Sequence, residues 1–296
     1  MTGAGMMDCK KALTETDGDM DKAVDYLREN GLAKAEKKAG RIAAEGIVKT
    51  NISADKKRAS IVEVNSETDF VAKNEKFQAF VEAVAAQAID TDAADIEAFL
   101  NEAWAADTSK TVNEELASMI ATIGENMNIR RFIIVEGVLS TYIHGHGSTG
   151  VIIKFDADEA CEKNPGFEAF AKNIALQVAA MPVLYLNKES VPQADIDAEK
   201  EVLAAQIKND EKNANKPQQI IEKMVSGKIG KFYEKNCLTE QAYVKDDSVS
   251  VGQYVENTAK EFGGKIALAG FWCYERGEGL QKKEDNFGEE IASMLK

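Results

Sequence analysis

One segment of the sequence occurs twice, about 90 residues apart, and this repeat constrains the fold more than any other feature. Residues 45–48 (EGIV) align with 136–139 (EGVL) at an offset of 91, and Phe80 aligns with Phe170 at an offset of 90. Because the aligned segments have strand, strand and helix periodicities in both copies, we expect an α+β fold with two repeated core subdomains and antiparallel sheets.

The turn between strand and helix is where the two copies differ. A strand-like run at 58–65 precedes it and a helix-like run at 75–89 follows it. The second copy has 159–162 (EACE) at the corresponding place. A Phe beside an acid is either a buried plug under a loop or an exposed finger, and loop drift remains an alternative to function. The turn residues of the first copy are Thr68, Asp69, Phe70 and Val71.

The residues ahead of the repeat have the apolar spacing of short helices. Segments 6–13, 17–31 and 33–44 each show this spacing, and Gly31 is suited to end the second helix in a left-handed conformation. We therefore expect an N-terminal three-helix (UBA-like) module with a minimal core, suited to docking.

Two helical segments interrupt the second copy. Residues 192–209 and 217–236 each read as a helix, with Pro217 in a first-turn position, and strand-like sequence resumes at 266–274. A short connection at 213–215 makes an antiparallel, coiled-coil hairpin the expected structure. Its apolar stripe packs either within the chain or across a homodimer seam, and the sequence leaves both open.

These patterns divide the chain into five parts. A helical docking module is expected first, then two core subdomains of which the second is split by the hairpin, and finally a C-terminal module with a helix. The expected boundaries are 1–44, 45–135, 136–182 with 237–276, 183–236 for the hairpin, and 277–296.

Charge and composition exclude several classes of partner. The net charge is −14, which argues against a broad nucleic-acid surface because such affinity comes largely from Lys and Arg. No run approaches the roughly 20 apolar residues of a membrane span, and the N-terminus lacks the features of a signal peptide. The cysteines are scattered without a C-x-x-C pair, as is typical of reduced thiols. We expect a cytoplasmic protein without direct contact to nucleic acid or membrane.

No motif indicates an enzyme. His144 and His146 share a glycine-rich segment, where a hairpin turn is favoured over a metal pair that lacks a third ligand. Cys9 stands beside two lysines, yet no base is near it in the sequence and packing is favoured over catalysis. A phosphate-binding glycine loop is also missing from the sequence. We therefore expect no catalytic centre, no bound metal and no cofactor.

Several motifs resemble those of bacterial elongation factor Ts. Residues 2–13 (TGAGMMDCKKAL) resemble the first signature of that family, and 68–73 (TDFVAK) resemble the second. The likeness covers nearly the whole chain. Shorter matches are 123–126 (IGEN), 129–131 (IRR), 221–225 (IEKMV) and 277–279 (GEG).

The resemblance implies a guanine nucleotide exchange factor for elongation factor Tu, in its GDP-bound and nucleotide-free forms. In that family an Asp-Phe finger wedges between two helices of the partner's GTPase domain, shifts the switch region and dislodges Mg²⁺. Phe70 would then be the apolar wedge and Asp69 a charge at the partner's rim, with Thr68 and Val71 supporting the turn.

The resemblance implies further contacts. Met6 and Met7 would dock on the GTPase domain, His144 would touch the partner, and the hairpin at 183–236 would form a homodimer. The family normally has one more helix ahead of the first signature, and a glycine where this chain has His146. The alternative function is a partner-docking, dimerising module without exchange activity.

Overall fold

Two helices lead into a pair of similar α+β units in the computed structural model, which describes residues 4–210 and 216–281. The leading helices are α1 (Met6–Glu15) and α2 (Met20–Lys38). The first unit then contains β1 (Glu45–Ile52), β2 (Arg58–Ser66), α3 (Asp69–Ala72), α4 (Glu75–Ala88), α5 (Ile96–Asn101), β3 (Ala103–Trp104), β4 (Asp107–Thr111), α6 (Val112–Ile123) and β5 (Met127–Glu136).

The second unit repeats this order without a counterpart of α5 and adds two helices. It contains β6 (Val138–His144), β7 (Thr149–Ala157), α7 (Glu159–Glu162), α8 (Phe167–Ala180), the added α9 (Gln193–Asn209) and α10 (Gln218–Asn236), β8 (Ala242–Tyr243), β9 (Asp246–Ser250), α11 (Val251–Phe262) and β10 (Ile266–Glu275). Antiparallel sheets of order β1-β2-β5 and β10-β7-β6 confirm the α+β prediction.

The repeat extends further than the sequence alignment. Helices α6 and α11 both begin with a capping box, at Thr111 and Ser250, and both end at a left-handed glycine, Gly124 and Gly263. Each of these helices follows a two-stranded ribbon and precedes the last strand of its sheet. The second unit therefore repeats the first from its first strand to its last, with α9 and α10 inserted in the region where the first unit has α5.

The hydrophobic core has three layers around the two sheets. The Phe stripes of α4 and α8 are buried against their own sheets, as the helical spacing predicts. The opposite faces of the sheets pack on each other. The buried residues between the sheets are Val48, Ala59, Ile61, Val135, Leu139 and Ile152.

Each unit places one hairpin turn on the other unit. The amide of Val48 on β1 donates to Gly147 O at 2.8 Å, and the amide of Leu139 donates to Lys56 O at 3.1 Å. Lys56 and His146 both have positive φ angles, 57° and 54°. The turn that carries the histidines is thereby fixed along β1, beside which α3 also packs.

The N-terminal prediction of three helices is wrong for residues 4–44, where α1 and α2 are the helices present. Gly31 does not end a helix; it lies buried inside α2, where a Cβ would be 3.9 Å from Ala117 O on α6. The Arg28 side chain also donates to Ser109 O at 2.8 Å. Contact with α6 thus offsets the low helix propensity of glycine, and the second and third predicted helices are one.

The inserted helices α9 and α10 are present as predicted, but Pro217 precedes α10 as its N-cap instead of lying in its first turn. Their apolar residues pack on each other within the chain. At the base of the helix pair the amides of Leu184 and Tyr185 both donate to Asn236 O at 3.0 Å. The chain therefore enters and leaves the helix pair at one point. The predicted connection at 213–215 lies outside the described residues.

A C-terminal helix was predicted within the module at 277–296, and residues 282–296 of that module also lie outside the described residues. Within the part of the chain that the structure describes, no helix has the length and apolar composition needed to cross a membrane.

Candidate functional site

Phe70 is the aromatic residue of the turn between β2 and α4, and 80% of its surface is open to solvent. Its neighbours Val71 and Ala72 are buried in the core of the first unit. The four residues of α3 thus direct one side to the core and Phe70 away from it. Of the two readings that the sequence left open, the exposed finger is correct and the buried plug is wrong.

Thr68 begins α3 as its N-cap. Its hydroxyl accepts from the amide of Val71 at 3.4 Å, which satisfies one of the free donors of the first turn. The amide and hydroxyl of Thr68 themselves donate to Glu125, at 3.0 and 2.8 Å. The amide and the hydroxyl of Thr68 are therefore both held by Glu125, which directly follows the C-cap of α6.

Asp69 forms an ion pair with Lys73, at 2.6 Å, one helical turn further on. The hydrogen bond from Lys73 lowers the pKa of the exposed Asp69 carboxyl. The Lys73 ammonium also lies 6.0 Å from the centre of the Phe70 ring. The exposed tip thus combines an apolar ring with a carboxylate and an ammonium.

Helix α7 shows what this turn is like without the Phe. Lys163 pairs with Glu159 as Lys73 does with Asp69, and Cys161 is buried as Val71 is. Ala160, which is exposed, therefore occupies the place of Phe70. The sequence alignment sets Thr68 against Glu159, but the equivalent ion pairs show that Asp69 corresponds to Glu159. The alignment is therefore displaced by one residue at this turn. With that correction the two turns share a framework and differ at the exposed tip.

The predicted docking residues lie on α1 and at the end of β6. Met6 and Met7 on α1 are 85% and 73% exposed. His144 ends β6, and its Nδ1 is 3.2 Å from the Tyr142 hydroxyl. The histidine turn lies along β1, against which α3 packs, whereas α1 packs on α2 and reaches the first unit through it.

The hairpin interpretation of the histidine segment is confirmed, since residues 145–148 form the turn between β6 and β7. Across residues 4–210 and 216–281, no group of three or more His, Cys, Asp or Glu side chains has an arrangement that could hold a metal ion. Cys9, considered as a nucleophile, is half-buried and its Sγ lies 3.6 Å from Ala4 O.

Glu63 on β2 was missed by sequence reasoning. Its side chain is fully buried, and it accepts from Arg131 Nε at 2.6 Å, Arg130 Nη1 at 3.2 Å, Asn65 Nδ2 at 3.0 Å and the Gly277 amide at 2.7 Å. Burial alone raises the pKa of this carboxyl, but the hydrogen bonds outweigh burial and the net pKa is lowered. The matched motifs at 129–131 and 277–279 thus meet at one buried acid.

Comparison with known proteins reveals similarity over almost the full length. A family model described as Elongation factor TS matches residues 67–278. Elongation factor Ts of Clostridium botulinum (strain Eklund 17B / Type B) is 49% identical over 297 residues, which cover 99% of this chain and 95% of that protein. Elongation factor Ts of Clostridium tetani (strain Massachusetts / E88) is 44% identical over 298 residues, covering 100% and 96%.

Proposed function

The chain belongs to the elongation factor Ts family and acts as a guanine nucleotide exchange factor for elongation factor Tu in translation elongation, and we propose that Phe70 is the wedge by which it does so. The exposed Phe on a fixed helical turn is the observation that carries this proposal, because 80% of the side chain is free to enter another protein. Exchange by such a wedge involves binding and no covalent step.

In the proposed mechanism Phe70 enters between two helices of the GTPase domain of elongation factor Tu. The switch region moves and the partner's Mg²⁺, which bridges nucleotide phosphates and switch loops, loses its position. Asp69 interacts at the rim of the same opening. Since binding linkage is reciprocal, a factor that binds the nucleotide-free form more tightly also promotes release of GDP.

One apolar side chain is not sufficient for a large acceleration. Burial of a Phe contributes roughly 1.5–3 kcal/mol, so a wider surface must hold the distorted partner. We assign this role to the docking module at 1–44 through Met6 and Met7, and to His144 on the second core subdomain. Their high exposure supports the assignment. The activity belongs in the cytoplasm, and the net charge of −14 favours a protein partner over direct nucleic-acid contact.

Release of a fluorescent GDP from elongation factor Tu tests the function. Adding this protein at substoichiometric concentration is expected to speed release in proportion to its concentration, because a factor that dissociates again acts on many partners. A rate that equals spontaneous release at every concentration would contradict exchange and leave the docking module without exchange activity as the function.

We also propose a homodimer through the hairpin at 183–236. The packing of α9 on α10 buries Ile207 and Ile221 within the chain, yet Val202 and Ile220 remain 50% and 44% exposed. These side chains offer an apolar surface to a second hairpin. Ile220→Lys is expected to raise the dimer dissociation constant about 10-fold or more, measured by sedimentation equilibrium. A wild type that is monomeric at high micromolar concentration would exclude the dimer; Lys231→Gln, on the same helix, is the control.

A further inference from the structure

A single carboxylate outside the finger holds the helix on which Phe70 stands. Glu125 Oε2 accepts from the Thr68 amide at 3.0 Å, and Oε1 accepts from the Thr68 hydroxyl at 2.8 Å. That hydroxyl in turn accepts from the amide of Val71 at 3.4 Å. Phe70 lies between Thr68 and Val71, so both flanks of its backbone are connected to Glu125.

A second contact joins the same two segments, with the donor and acceptor segments exchanged. Glu67 Oε1 accepts from the amide of Asn126 at 2.6 Å. Residues 67–68 and 125–126 therefore cross-link each other, with each pair supplying a carboxylate to the backbone of the other. The Asn126 side chain also donates to Arg41 O at 2.8 Å, which ties the connection to the segment after α2.

The second unit connects the equivalent turn differently, through Asp158, whose amide donates to Lys265 O at 3.0 Å, and without a carboxylate at the position of Glu125. Counted from the helix-ending Gly124 and Gly263, Gly264 corresponds to Glu125 and Lys265 to Asn126. There the Lys265 amide donates directly to Asp158 Oδ2 at 2.8 Å, and α7 is still formed. A carboxylate at this position is thus not needed to make the short helix. It is present in the copy that exposes a Phe.

The direction of Phe70 depends on its backbone. The ring is 80% exposed, and a helix of four residues has no stability of its own. We propose that Glu125 is a positioning residue for exchange: through Thr68 it fixes the direction in which α3 presents Phe70 to the partner. This inference rests on the proposed wedge. A displacement of about 1 Å at a reacting group can cost up to about 100-fold in rate.

A double-mutant cycle on the rate of GDP release tests the role. Glu125→Ala is expected to slow exchange about 10-fold in the wild-type background and less than about 2-fold in the Phe70→Ala background, because an effect transmitted through Phe70 disappears with it. Glu125→Gln keeps one carbonyl acceptor, so its exchange rate is expected to lie between those of wild type and Glu125→Ala, with the fold retained. Glu115→Gln is the control, since Glu115 on α6 pairs with Lys110 at 2.5 Å away from the finger.

A purely structural role is distinguished by thermal unfolding. The midpoint is expected to shift by the same amount when Glu125 is changed in either background, while the rate effect differs between them. Equal rate losses in both backgrounds, or an unchanged rate for Glu125→Ala, would overturn the positioning role while the wedge stands. If Phe70→Ala itself exchanges at the wild-type rate, the wedge fails, and the positioning role fails with it.

Discussion

Phe70→Ala is expected to slow GDP release from elongation factor Tu about 10- to 150-fold, because roughly 1.5–3 kcal/mol of apolar burial is lost in the distorted complex. The free protein should hardly change. Phe70 is 80% exposed, and substitutions of exposed residues usually alter the free energy of unfolding by less than about 0.5 kcal/mol. The measurement is stopped-flow release of fluorescent GDP together with urea unfolding of each variant.

The second unit supplies a matched control for this variant. Ala160 occupies the place of Phe70 on a turn with the same ion pair and the same buried neighbour. It demonstrates that an alanine is compatible with this backbone, and Ala160→Phe adds a ring on the wrong unit. We expect Ala160→Phe to exchange at the wild-type rate and Phe70→Leu to retain part of the activity. Wild-type exchange by Phe70→Ala would remove Phe70 from the mechanism.

Glu63→Gln is expected to lower the free energy of unfolding by about 3 kcal/mol, near the lower end of what removing one partner of a buried ion pair costs. The neutral amide leaves Arg130 and Arg131 with less compensation, although both are partly solvated, with 23% and 28% exposed side chains. Urea unfolding at neutral pH measures the loss. Glu278→Gln is the control, because its carboxylate is 55% exposed and also pairs with Arg131; it should cost less than about 1 kcal/mol.

The same residue predicts a dependence on pH. The pKa of folded Glu63 lies below its usual value of 4.5, so the folded state binds this proton less readily than the unfolded state. The stabilisation is complete above pH 4.5 and is lost as the pH falls through the folded pKa. The difference between wild type and Glu63→Gln should therefore shrink progressively below pH 4.5. A difference that is constant from pH 7 to pH 3 would contradict this charge-based explanation.

The repeat and the core positions of its helices could be predicted from the sequence because both depend on the spacing of apolar residues. Phe77 and Phe80 follow the 3.6-residue period of α4, and that period alone places them in the core. The end of α2 could not be predicted in this way. Gly31 is a helix-ending residue by its conformational freedom, but here α6 approaches it closely, and that neighbour lies more than 80 residues away in the chain.

The roles of the site residues could not be predicted from local spacing, because they depend on contacts that are distant in the sequence. Exposure of Phe70 was one of two open readings, because exposure depends on what packs over a turn. Glu125 and Glu63 carried no local signal of their own, although Glu125 lies in a segment that resembles the family and Glu63 contacts two others. Their partners, Thr68 and Arg131, are 57 and 68 residues away. A single acid in a chain with 50 Asp and Glu residues becomes informative when the fold shows what it touches.

Because the α9–α10 pair has a common base, the inserted segment can vary in length without moving the rest of the second unit. Asn236 O accepts hydrogen bonds from the amides of both Leu184 and Tyr185, so the inserted segment begins and ends at adjacent points. The first unit connects α4 to β3 by a much shorter route on the same framework. Lengthening a loop whose ends are already joined costs only about 0.6 kcal/mol for each doubling. Evolution can therefore extend, shorten or replace the α9–α10 pair while the two sheets and the finger keep their geometry.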